Sequence, residues 1–155
     1  LKCKGYRGEP VYFKEGDLRQ SVFYGKVDKE LIDDGFESFS AFNHVNTKIE
    51  WRLDETSRPF AAILRWFIEN SNPDTGAPDE AHRGQVLVVS RVAQPGEGGA
   101  CVVGYVDALA NPNANEMARN VADTLAADFT CMSDTPVYHG QRGPLAGDPV
   151  RAFGQ

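Results

Sequence analysis

Cationic charge is scarce in this chain. Its 155 residues carry 16 Lys and Arg against 22 Asp and Glu, a formal net charge of −6. Phosphate backbones are held by clustered Lys and Arg, so this balance argues against a nucleic-acid-binding domain and against adhesion to anionic lipid. Long hydrophobic runs are also missing. The longest, Phe60 to Ile68, is broken by Arg65 and falls well short of the ~20 apolar residues that span a bilayer. No membrane insertion is expected. His44, His82 and His139 lie far apart, without metal-ligand spacing. Gly96-Glu97-Gly98-Gly99 has neither the Lys nor the helix of a phosphate-binding loop, and no Gly-x-Ser-x-Gly elbow occurs. No metal and no cofactor are expected. An initiator Met is absent as well: the chain opens Leu1-Lys2-Cys3, as it would after removal of a signal peptide.

Apolar runs bounded by Gly, Pro and Asp are what the chain does have. Pro10–Lys14, Leu18–Tyr24, Lys48–Leu53, Phe60–Ile68, Gln85–Val92 and Cys101–Ala108 are rich in β-branched and aromatic residues and read as strands. Ile49, Trp51 and Leu53 alternate with charged neighbours, the pattern of a half-wet strand. Val86–Val89 and Cys101–Val103 are apolar on both faces and read as central strands. Short polar links at 54–59 and 93–100 suit antiparallel neighbours, whereas 69–84 reads as an exposed loop.

One long helix is legible, over roughly 114–128. Ala114, Met117, Ala118, Val121, Ala122, Leu125 and Phe129 recur at i, i+3, i+4 spacing, and Asn113 with Glu116 has the form of a capping box. A shorter helix is possible over Asp28–Asp34. The predicted fold is therefore α+β: an antiparallel sheet of about four to six strands with a meander core, packed by one C-terminal amphipathic helix in two layers. Residues 1–131 would form a single domain, and 132–155 a Pro/Gly-rich C-terminal tail draped on the surface or partly disordered.

The three cysteines bear on compartment. A strand over 101–108 advances ~26 Å at about 3.3 Å per residue, and a fifteen-residue helix returns ~22 Å. If the helix folds back along its strand, Cys131 lands near Cys101. That pairing suits a disulfide, although Cys3 is an alternative partner for either. A disulfide would place the chain outside the reducing cytosol, so a periplasmic or secreted location is expected.

Candidate chemistry is thin. Asn111-Pro112-Asn113-Ala114-Asn115-Glu116 offers alternating oxygen donors but fails the calcium-loop pattern at its first, sixth and twelfth positions; capping explains it better. Asp107 closes a buried strand just before that loop, so Asp107, Asn111, Asn115 and Arg119 are the candidate catalytic residues of a small hydrolase-like enzyme. Arg119 and Asp123 are spaced for an exposed ion pair on the helix. Arg52, Arg65 and Trp66 are the candidates for binding an acidic or sugar ligand.

Gly16-Asp17-Leu18-Arg19, Ile49-Glu50-Trp51-Arg52-Leu53 with Arg58-Pro59-Phe60-Ala61, Gly84-Gln85-Val86-Leu87-Val88-Val89, and Cys101-x-x-Gly-Tyr105-Val106-Asp107-Ala108 with Asn111-Pro112-x-Ala114-Asn115 resemble an uncharacterised group of small exported proteins of α-proteobacteria. The resemblance covers about residues 3–131. It implies a secreted or periplasmic origin and carries over no catalytic residue. The leading expectation is a non-enzymatic envelope domain that binds a protein or small polar ligand. The small enzyme centred on Asp107 is the alternative.

Overall fold

The computed structural model describes residues 1–153. Strands β1 (Lys2–Lys4), β2 (Pro10–Gly16) and β3 (Arg19–Gly25) are followed by helix α1 (Lys29–Asp34) and by β4 (Phe36–Phe39), β5 (Phe42–Val45) and β6 (Glu50–Leu53). The long strands β7 (Pro59–Ser71) and β8 (Pro78–Ala93) form the centre. After them come β9 (Val102–Asp107), helix α2 (Ala114–Leu125), β10 (Val137–His139) and β11 (Pro149–Ala152).

Among the described residues nine strands make one sheet. Its main path runs β1-β2-β3-β8-β7-β5, with β6 also on β7, β9 on β8 and β10 on β9. The remaining two, β4 and β11, form a small antiparallel sheet. Most ladders are antiparallel, but β3 meets β8 and β10 meets β9 in parallel. This overturns the expected α+β meander of four to six strands. The chain is mostly β, 46% strand and 14% helix, and its large sheet is mixed.

The physical reason lies in strands that carry no apolar period of their own. The stretch 69–84, expected as a loop, is strand at both ends. Glu69 pairs with Arg83 and Ser71 with Pro78, so a long polar hairpin grows out of an apolar one. Its turn is closed by Asn72, whose carbonyl accepts the amides of Thr75 and Gly76. The tail expected over 132–155 contributes β10 to the large sheet and β11 to the small one; its positions 154–155 lie outside the described residues.

Alternation along β7 divides the interior. Ala62, Leu64, Trp66 and Ile68 enter a core with Val22, Tyr24, Phe39, Val88 and Tyr105. Ala61 and Ile63 point the other way, toward Leu87, Val89, Val103, Val106 and α2. Helix α2 buries Ala114, Ala118, Val121 and Ala122, small residues that let its backbone lie close to the sheet. Leu125, expected within that stripe, is 37% exposed. Arg91 fixes the far end of the helix. Its buried guanidinium donates to the carbonyls of Ala126, Ala127 and Phe129, and also to those of Gly99 and Glu97, satisfying acceptors that a helix C-terminus leaves open.

Cys101 and Cys131 lie at disulfide distance, with S–S 2.07 Å and Cα–Cα 5.8 Å. Cys3 is free and exposed on β1. No helix among the described residues is long and apolar enough to cross a membrane.

Candidate functional site

The corner between β9 and α2 holds Asp107 and Asn111, and both are engaged in structure. Asp107 is 2% exposed. Its Oδ1 accepts the amides of Leu109 at 3.0 Å and Ala110 at 3.3 Å, and its Oδ2 accepts that of Gly143 at 2.8 Å. Asn111 donates from Nδ2 to the carbonyls of Asp107 and Gln141, while its Oδ1 accepts the Gln141 amide at 3.0 Å. Together they tie the segment after β10 to the end of β9. The other two catalytic candidates lie elsewhere. Arg119 binds Glu50 of β6 through two hydrogen bonds of 2.8 and 3.0 Å, and Asn115 is exposed on the first turn of α2.

The ligand-binding candidates also separate. Arg65 and Trp66 are consecutive in a strand, so they project from opposite faces. Trp66 is 2% exposed in the core, where its Nε1 donates to Asn43 Oδ1 at 3.1 Å. Arg52 grips Asp123 through bonds of 3.1 and 2.8 Å. The expected Arg119–Asp123 pair along the helix is thus replaced by two pairs between elements, which clamp α2 to β6. Arg119 accordingly holds the Glu50 carboxyl below its usual range, with Arg52 assisting.

Arg65 opens a different site. Ile63 and Leu87 pack against α2, and Arg65, paired with Leu87 across β7 and β8, lies beside the first turn of the helix, where Asn115 stands. A hollow of about 240 Å³ remains there, lined chiefly by Asn46, Lys48, Glu50, Arg65, Leu87 and Asn115. Arg65 is half-buried and uses one Nη to reach Gln85 Oε1 at 2.8 Å, which fixes the plane of its guanidinium. Lys48 and Asn115 are exposed at the rim. Glu50 contributes a carboxylate already engaged by Arg119 and Arg52. The hollow therefore presents two cations, two amides and one carboxylate that is already paired, in a chain of net charge −6. Asn46 escapes sequence reasoning because it sits in a polar link, and Lys48 because it reads only as the wet face of the strand expected over Lys48–Leu53; the folding of 46–50 onto β7 brings them to Arg65.

Other concavities offer less convergent chemistry. In the hollow beside Arg58 the charges are tied up within the chain: Arg58 pairs with Asp54 and Glu97, and Asp123 with Arg52. The one beside the cysteine pair is floored by Leu31, Ala100, Met132 and Phe153. Among the described residues no group of three or more His, Cys, Asp or Glu side chains converges as metal ligands do.

Inside the protein, Glu37 of β4 was not singled out by any sequence pattern. It is 3% exposed, and its two carboxyl oxygens share one donor, the Val102 amide, at 3.0 Å each. Burial pushes its pKa up to about 7, against the opposing pull of that amide and of Arg151. A charged residue inside the short apolar run Phe36-Glu37-Ser38-Phe39 was the available clue.

Comparison of the chain with protein-family models, with curated proteins and with solved structures gave no match.

Proposed function

We propose that this is a non-enzymatic domain, exported to an oxidising compartment, that binds a small polar ligand bearing an anionic group in the hollow at Arg65. The carrying observation is the convergence of Lys48, Arg65, Asn46 and Asn115 on one concavity of about 240 Å³. A few directed polar groups around a preformed hollow are the usual make-up of a small-molecule site. Arg65 matches the planar fork of a carboxylate, and Lys48 adds a mobile charge at the rim. Export is supported by the cysteine pair at disulfide distance. The hydrolase alternative loses support because both oxygens of Asp107 already accept backbone amides.

Mapping amide chemical shifts during titration with citrate, succinate, glucuronate and inorganic phosphate tests the reading. Shifts should gather at Asn46, Lys48, Arg65, Leu87 and Asn115 for at least one probe and vanish in Arg65→Ala. Silence there for all four probes would sink it.

One observation favours a protein partner instead. Leu18, 61% exposed, occupies the β2–β3 turn at φ 61° beside Phe42, 39% exposed. A left-handed leucine is strained, and here the strain presents an apolar tip to solvent.

A further inference from the structure

The hollow at Arg65 carries more polar groups than a lone anion requires, and their kinds differ. Segment 46–50 is held on β7 at both ends. The Asn46 amide donates to the Arg65 carbonyl at 2.8 Å, and Glu50 pairs with Ile63. Asn46, Lys48 and Glu50 thereby share one concavity with Arg65 and with Asn115 of α2. The buried Ile63 and Leu87 add apolar surface to it.

The unused hydrogen-bonding capacity of each group limits what can bind. Arg65 spends one Nη on Gln85 Oε1 and, among the described residues, pairs with no carboxylate. Lys48 and the Asn115 side chain make no hydrogen bond or ion pair among them either. Asn46 Oδ1 accepts the Thr47 amide at 2.9 Å, which leaves its Nδ2 as a donor. The Glu50 carboxylate accepts three N–H bonds, from Arg119 at 2.8 and 3.0 Å and from Arg52 at 3.5 Å. A carboxylate has roughly four acceptor positions, so Glu50 can still take one more hydrogen.

These groups sort the possible ligands. Arg65 and Lys48 call for one anionic end, because a neutral ligand would cover two cations without a counter-charge. Glu50 calls for a donor at the other end. A second carboxylate or a phosphate there would meet a like charge. An ammonium would meet the two guanidinium groups that already hold Glu50. A hydroxyl suits it, and the amides of Asn46 and Asn115 bind hydroxyls as readily. The apolar Ile63 and Leu87 match the C–H face of a saturated ring. At about 240 Å³, the hollow falls below the ~300–1,000 Å³ of drug-sized ligands and suits a single small ring.

Resting on the anion-binding reading of this hollow, we propose that its ligand is a uronic acid unit: a sugar ring with one carboxylate on Arg65 and Lys48 and hydroxyls on Glu50, Asn46 and Asn115. The carboxylate supplies affinity, and the hydroxyls distinguish the sugar acid from other acids.

Calorimetric titration of the full chain with glucuronate, succinate and glucose tests this. Glucuronate should bind at least about tenfold more tightly than either of the others, since each lacks one half of the recognised set. Asn115→Ala, on an exposed helix position, should weaken glucuronate about fivefold through loss of one neutral hydrogen bond. Succinate binding as tightly as glucuronate overturns the sugar-acid inference and leaves the anion site standing, as does equal glucuronate affinity in Asn115→Ala. Absence of binding by both acids, or unchanged affinity in Arg65→Ala, overturns the inference and the anion site together. The methyl glycoside of glucuronate separates two sources of the unit. Binding as tight as the free acid supports a uronic unit at the end of a glycan, and weaker binding supports the free sugar acid.

Discussion

Gly143 is held by Asp107: its amide donates to Oδ2 at 2.8 Å, across thirty-six positions of sequence. With Oδ1 taking the amides of Leu109 and Ala110, the carboxylate knots the end of β9 to the segment after β10. Asp107→Ala removes a buried carboxylate that accepts from three partly buried amides and is expected to cost about 3 kcal/mol. Asp107→Asn, which keeps an acceptor, should cost less. Denaturant unfolding checks both. Wild-type stability in Asp107→Ala would return this residue to a chemical role.

Helix α2 makes a contrast between two apolar side chains. Val121 is buried against Gly104 and the sheet, whereas Leu125 is 37% exposed. Val121→Ala should therefore lower stability by about 2 kcal/mol and Leu125→Ala by less than about 1 kcal/mol. A larger loss at Leu125 would mean that the helix is rotated from this orientation.

That contrast shows where the sequence was legible and where it was not. Periodicity located α2 correctly but weighted Leu above Ala, while the packing selects Ala118, Ala122 and Ala126 because close approach needs small side chains. The apolar runs around Leu64 and Val88 announced themselves, since strands buried on both faces have nothing polar to confuse them. Strands such as Phe42–Val45 and Val137–His139 carry no such signal. They exist because a neighbouring edge at β7 or β9 offers unpaired backbone groups, a fact about the fold rather than about their own residues. The same holds for the candidate site. Arg65 was visible as a charge in an apolar strand, but Lys48, read as the wet face of its own strand, and Asn46 become its companions only when 46–50 folds back onto β7.

The cysteine pair should be covalent in protein matured under oxidising conditions. Alkylation without reductant followed by intact mass should then find one reactive thiol, Cys3. Replacing Cys101 and Cys131, separated by 30 positions, with Ser should lower stability by roughly 3–4 kcal/mol on the chain-entropy estimate. Three alkylated thiols would remove the support for an oxidising compartment.

Stability should also depend on pH through Glu37. Its folded pKa, about 7, lies above the ordinary 4.5, so the folded state holds the proton more tightly than the unfolded chain. The stabilising contribution is then fully present below about pH 4.5 and is lost as pH rises to 7. The difference amounts to about 3 kcal/mol. Glu37→Gln should consequently melt above the wild type at pH about 8, with the gap closing in acid. Parallel pH profiles for the two proteins would contradict this account of the buried carboxyl.

The binding hollow is tested most directly by calorimetric titration of the wild type and of Arg65→Ala with whichever acidic probe moves the hollow's amides. Loss of one charged hydrogen bond, about 1.5 kcal/mol, weakens binding roughly tenfold, so Arg65→Ala should bind at least that much more weakly while unfolding at a similar denaturant concentration. Equal affinity in the two proteins would show that the ligand sits elsewhere, and the hollow at Arg65 would then be a surface feature of the fold with no part in binding.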